Sequence, residues 1–185
     1  MQEGGDRLRP RTEQMSGALI VVLAALGALL LVLVNKAHGG TVAEKETTDK
    51  YPYQSAVINS GAIYSVDPDL IAAVISWEQR SDTKWDPNAT NPNDPSYGLG
   101  QVTPYIAIQL GIIKGEGDYL ALYDPQTNIN AVAAFLSYLL NDKQYVLSDA
   151  IQMYNEGETN FFDGYRVPEY LNGVMGYYDK FRAVL

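Results

Sequence analysis

Eighteen consecutive residues, Gly17 to Val34 (GALIVVLAALGALLLVLV), carry no charge and are apolar throughout. At about 1.5 Å per residue a helix of that length spans roughly 27 Å, close to the hydrocarbon thickness of a bilayer. The core of a cleaved secretory signal is shorter, about 7–15 residues. A retained transmembrane helix is therefore expected, with Ala37-His38-Gly39 as the place where cleavage would fall if the segment were a signal. The chain divides around it into a short N-terminal tail (1–16), the span (17–34), a polar linker rich in Thr, Lys and Glu (35–52) and a globular domain (53–185). Arg7, Arg9 and Arg11 before the span are balanced by Lys36, Lys45 and Lys50 after it. The positive-inside rule thus gives no orientation.

The inventory of reactive side chains narrows the chemistry. There is no Cys, and the single His, His38, lies in the linker. Thiol nucleophiles, zinc-thiolate sites, Ser-His-Asp hydrolysis and H-E-x-x-H chemistry are excluded on that ground. Of 13 basic and 22 acidic residues, six of each fall in residues 1–50, leaving 7 basic and 16 acidic after Lys50, a net charge of −9. Every aromatic residue, including all 14 Tyr, is also in that part. An acidic domain neutralises no phosphate, so nucleic acid is not an expected partner. Its rings suit either a core or a cleft in which they stack on sugar faces.

The domain reads as mainly α. Asp67-Pro68, Thr103-Pro104 and Asp124-Pro125 each place a capping side chain ahead of a first-turn proline. The helices expected to follow run to Glu78, over Tyr105–Leu110 with Gly111 as a stop, and through Ile129, Val132, Phe135, Leu136, Leu139 and Leu140. Ser148 is the expected cap of a short helix through Ile151 to Tyr154, and a last helix starts near Pro168. Ser81 to Gln101 is dense in Asp, Asn, Pro and Gly and reads as a long shaped loop, with room for a short hairpin.

Glu78 is the foremost candidate for chemistry. It follows Ile71, Val74 and Ile75 at i+7, i+4 and i+3, so its carboxylate projects from the apolar face near a helix end. Partial burial there raises the pKa, as a general acid near neutral pH requires. The plainer reading is a surface pair with Arg80 or Lys84, or a solvated helix end.

The order of the surrounding segments adds to this. Ala72-Ala73-Val74-Ile75-Ser76-Trp77-Glu78 is followed by Tyr97-Gly98-Leu99-Gly100-Gln101-Val102-Thr103-Pro104, then Asp124-Pro125-Gln126-Thr127-Asn128-Ile129, then Ala150-Ile151-Gln152-Met153-Tyr154-Asn155-Glu156-Gly157, then Pro168-Glu169-Tyr170-Leu171. From about Ser55 to Phe181 the chain resembles the soluble-lytic-transglycosylase family, relatives of goose-type lysozyme. The resemblance implies a lysozyme-like helical fold and cleavage of the β-1,4 bond between N-acetylmuramic acid and N-acetylglucosamine in peptidoglycan, with 1,6-anhydromuramoyl ends as product. It implies Glu78 as the single catalytic acid/base, and Gln101, Tyr154, Asn155 and Tyr170 as residues lining the cleft. No cofactor and no metal is implied, and EF-hand spacing breaks at Asn91.

Three positions depart from the family pattern: Gln79 replaces a Ser, Gly100 a Met, and Glu156 a small residue. A hydrolysing muramidase would need a second carboxylate to activate water, and Asp82, Asp86, Asp94 and Glu156 stand in segments able to approach the cleft. A noncatalytic glycan-binding or structural module on the same fold is the rival from another class. The expected setting is a membrane anchor with the domain outside the cytoplasm facing the wall, or a virion membrane, in either case with peptidoglycan strands as partner and a larger wall-spanning or virion assembly as an option.

Overall fold

The structure, a computed structural model of the chain, describes residues 49–91 and 94–184. The expected span Gly17–Val34, the tail before it and the linker up to residue 48 lie outside the described residues. Among those described, no helix is long and apolar enough to cross a membrane.

Among the described residues six α-helices carry the fold: α1 Gln54–Tyr64, α2 Pro68–Glu78, α3 Pro104–Gln109, α4 Pro125–Ser137, α5 Leu147–Phe162 and α6 Pro168–Arg182. A 3₁₀ helix, Glu116–Tyr123, precedes α4, and a π turn, Tyr138–Asp142, continues it. The loop after α2 holds a two-stranded antiparallel hairpin, β1 Thr90–Asn91 and β2 Ser96–Tyr97, in register Thr90 to Tyr97 and Asn91 to Ser96. The mainly helical expectation with a short hairpin in the long loop is thereby met.

α2 is the centre of the molecule. Leu70 to Ser76 are all buried, as expected of a helix that is apolar on every side. Its start is fixed locally: the Asp67 carboxylate accepts from the Asp69 amide (2.9 Å) and Pro68 takes the first turn. α6 packs most extensively against it. Tyr178 meets Asp67 at the start of α2 while Tyr170 meets Glu78 at its end, so the two helices run antiparallel. Ile71, Ile75, Leu99, Leu122, Ile129 and Leu136 form the main body of the core. Phe135, Leu139, Met153 and Phe161 form a smaller second cluster between α4 and α5.

Two further caps follow the same logic, since Thr103 accepts from the Ile106 amide (3.4 Å) and Asp124 from the Thr127 amide (2.8 Å). Two expectations need correction, and one helix stands where none was expected. Tyr51 is buried against Trp85 and Phe181, and Lys50 pairs with Asp69, so the packed region begins before Tyr53. Ser148 caps nothing; α5 starts two residues earlier than that cap implies, at Leu147, bends at Gly157 (φ 77°) and runs on to Phe162. Its polar second half hides the helical period. α1 was not anticipated, because it buries only Val57, Ser60 and Gly61 and so shows no apolar stripe.

Candidate active site

The last turn of α2 delivers Glu78 to a cleft of about 170 Å³. The same cleft is lined by Gln101 from the long loop, Ile106 from α3, Phe135 from α4, and Tyr154 and Asn155 from α5. A wider trough of about 560 Å³ shares Ile106, Phe135, Tyr154 and Asn155 with it and continues between α3 and the bent second half of α5.

Glu78 is half-buried. Its Oε1 accepts a hydrogen bond from the Tyr170 hydroxyl at 2.6 Å. Burial pushes its carboxyl up from the ordinary 4.5 to about 7, opposed by the Tyr170 hydrogen bond and by the nearby Arg80 guanidinium, both of which favour the anion. Among the described residues Glu78 forms no ion pair, so the expectation of a surface pair with Arg80 or Lys84 is not met. Arg80 instead lies over the Trp77 ring, 4.0 Å from its centre. The Trp77 indole N–H and the Ser76 hydroxyl, one and two residues before Glu78, are buried without a protein partner. The end of α2 is therefore poorly solvated and weakly compensated.

The other named residues occupy distinct positions. Gln101 takes a left-handed backbone conformation (φ 47°), and its side chain folds back to donate to the Gly98 carbonyl (2.8 Å) and accept from the Ser96 hydroxyl (3.1 Å). It thus lines the cleft and braces the hairpin at once. The Tyr154 hydroxyl donates to the Gly100 carbonyl (2.9 Å), and burial beside Glu78 holds its pKa well above the usual range. Asn155 is exposed, its amide donating to Glu156 (2.6 Å). Tyr170 does not line the cleft. It is 4% exposed, packed edge-on to Trp77, and reaches the site through Glu78.

Gly100 belongs where it is. A Cβ there would stand 2.2 Å from Val132 Cγ2, so no larger residue fits without moving α4. Of the possible second carboxylates, Asp94 lines both cavities and Glu156 the wider one. Asp82 is engaged by Lys180, and Asp86 accepts from the Asn88 amide in a local turn (2.9 Å). Among the described residues no group of three or more His, Asp or Glu side chains is disposed to hold a metal ion.

Asn128 was not singled out as a site residue, yet it organises this one. Fully buried on α4, it accepts from the Gly100 amide (2.8 Å) and donates to the carbonyls of Tyr97 and Leu122 (2.8 Å each). A single amide in helical phase with Val132, Phe135 and Leu139 was the available signal, because a buried polar side chain must find partners.

A carboxyl group whose pKa burial raises to about 7, set in a cleft lined by Phe135 and Tyr154, is the kind of group that glycan-cleaving acids use. Residues 55–164 match the family model of the transglycosylase SLT domain, and the chain belongs to that family. Membership marks it as a protein of the lytic-transglycosylase and lysozyme type, whose substrate is peptidoglycan. The match ends before α6, so the place of Tyr170 beside the acid rests on geometry alone.

Proposed function

We propose that the protein cleaves the β-1,4 bond between N-acetylmuramic acid and N-acetylglucosamine with Glu78 as its one acid/base, leaving 1,6-anhydromuramoyl ends. The observation that carries this reading is the half-buried Glu78, held by Tyr170, without an ion pair among the described residues and with a pKa of about 7. Such a group donates and accepts a proton with equal ease at neutral pH. In the first step neutral Glu78 protonates the glycosidic oxygen as the bond to the anomeric carbon breaks. The resulting carboxylate then takes the proton of the muramoyl 6-hydroxyl while that oxygen bonds to the anomeric carbon. Glu78 ends neutral, and no water is consumed. Gln101, Tyr154 and Asn155 supply hydrogen-bonding dipoles around the sugar without competing charge.

The anchor belongs to the same proposal. Gly17–Val34 would hold the protein in a membrane with its N-terminus inside and its domain facing the wall, so that tethering supplies local concentration that an acidic domain cannot gain electrostatically.

One observation favours a second reading. Asp94 lines the same cleft as Glu78 and is exposed, as a base that activates water must be. Mass spectrometry of purified peptidoglycan treated with the full-length protein, wild type beside Glu78→Gln, separates the cases. Anhydromuramoyl ends made by the wild type alone support the transglycosylase. Reducing ends, lost in Asp94→Asn, mean a muramidase. Intact glycan after exposure to a folded wild type leaves a binding module.

A further inference from the structure

Gln79, the residue directly after Glu78, makes three side-chain hydrogen bonds to the long loop. Its Nε2 donates to the carbonyls of Leu99 (2.8 Å) and Gly98 (3.3 Å), and its Oε1 accepts from the Asp86 amide (2.8 Å). Asp86 lies near the start of the long loop and Gly98-Leu99 near its end, so one amide fastens both ends of the loop to the end of α2. Its direction is fixed by the backbone. The Gln79 amide still donates to Ile75 (2.9 Å), Arg80 turns left-handed (φ 52°), and the Ser81 amide returns to the Ser76 carbonyl (3.0 Å).

The segment Gly98 to Gln101 is what the clamp holds. It carries Gln101 into the cleft and receives the Tyr154 hydroxyl at Gly100. Asn128 ties it to α4. Among the described hydrogen bonds, only those of Gln79 tie it to the end of α2 that carries Glu78. We propose that Gln79 is a positioning residue, which sets the separation between Glu78 and the glycan-binding turn and keeps water from the acid. This rests on the reading of Glu78 as the acid. Asn at this position is one methylene too short to span the same partners. Glu would set a carboxylate against two carbonyl oxygens. Met keeps the length and loses all three bonds.

The charged and titratable groups around Glu78 are Tyr170 from α6, Tyr154 from α5 and Arg80 from the turn after α2, with Asp94 of the long loop lining the same cleft. Gln79→Met leaves all of them in place, so a change in Glu78 titration reports hydration of the cleft. The test follows the Glu78 carboxyl by ¹³C NMR in the full-length protein in detergent micelles, alongside pH–rate profiles on peptidoglycan. In Gln79→Met, Glu78 is expected to titrate lower and the alkaline limb of kcat/KM to move to lower pH with it. At pH 7 kcat should fall roughly ten- to a hundredfold with a smaller change in KM, as for a sub-ångström to ångström displacement. A variant that melts earlier but leaves the titration and the limb unmoved would show a purely structural role and overturn the proposal. Should Gln79→Met not fold, Gln79→Asn is read in the same two ways. Should the wild type cleave nothing, the acid reading fails by itself, and the NMR titration still decides whether Gln79 shields Glu78.

Discussion

The two ends of α2, capped by Asp67 and closed by Glu78 eleven positions later, are chemically opposite. At its start, Asp67 caps the helix and accepts from Tyr178 (2.8 Å), while Asp69 takes Lys50 (3.3 Å) and Tyr51 (3.3 Å). Each carboxylate there has a local partner and faces the positive end of the helix dipole, where an anion is stabilised. At its finish, Glu78 has a tyrosine from the same partner helix, α6, but no ion pair among the described residues, and it faces the negative end of the dipole. Two polar atoms in that last turn are buried unpartnered, a condition that costs about 1–3 kcal/mol each. One helix, one partner helix and two acid–tyrosine contacts thus give a fastening at one end and a reactive group at the other. What differs is the dipole, the burial and the counter-charge.

The largest effect that would test this contrast is on Glu78 itself. Glu78→Gln should lower kcat on peptidoglycan by about a thousandfold, the scale of a lost general acid. It should also make the protein more stable at pH 8. Folded Glu78 holds its proton up to about pH 7, whereas the unfolded chain releases it near 4.5. The stability it contributes is therefore full below about pH 4.5 and lost as the pH rises through 7. Gln mimics the neutral acid at every pH, so urea melts should show a gain of about 3 kcal/mol at pH 8 that vanishes at pH 4. Equal stability at both values would mean that the end of α2 is as well compensated as its start.

The next effect falls on the contact that closes the site from behind. A Cβ added at Gly173 on α6 would lie 2.0 Å from Trp77 Cζ3. Gly173→Ala should therefore destabilise the domain by about 3 kcal/mol, the upper range for overpacking, despite the better helix propensity of Ala. Thermal melts at pH 4, where Glu78 is largely neutral in both the folded and the unfolded chain, isolate this from the titration. Asp67→Ala, at the other end, should cost about 2 kcal/mol through the lost cap and the stranded Tyr178 hydroxyl. The Glu78 titration should not move with it. A shifted titration would mean that the two ends are coupled along α2.

The same contrast explains what could be read before the fold was seen. The caps at Asp67, Thr103 and Asp124 were legible because each depends on a side chain and an amide two or three residues away. The apolar setting of Glu78 was legible from its spacing to Ile71, Val74 and Ile75 on one helix. The Tyr170 contact joins residues 92 apart, and Gln79 meets Leu99 across 20. No local period encodes such a meeting. α1 and the 3₁₀ helix before α4 stayed hidden for a related reason. Each buries too few side chains to print a stripe, and is held by packing against neighbours that the sequence does not place. Asn128 shows the middle case, a residue whose oddity was visible and whose partners were not.

The smallest expected effect is the most discriminating. Tyr170→Phe removes one oxygen from a buried ring and keeps the edge contact with Trp77. In the wild type that hydroxyl favours the Glu78 anion and so pulls its pKa down from what burial alone would set. Without it, Glu78 should titrate higher still, and the alkaline limb of kcat/KM should move to higher pH. Loss of the Gln79 clamp is expected to move the same limb to lower pH, so the two variants separate orientation of the acid from its desolvation by sign alone. At pH 6, below the limb, Tyr170→Phe should lose only a few-fold in kcat/KM, the value of one hydrogen bond of about 1 kcal/mol that orients the carboxyl. A loss of a hundredfold or more at that pH would assign the tyrosine to the reaction itself. An unmoved limb would mean that the hydroxyl and the acid do not interact as this end of α2 requires.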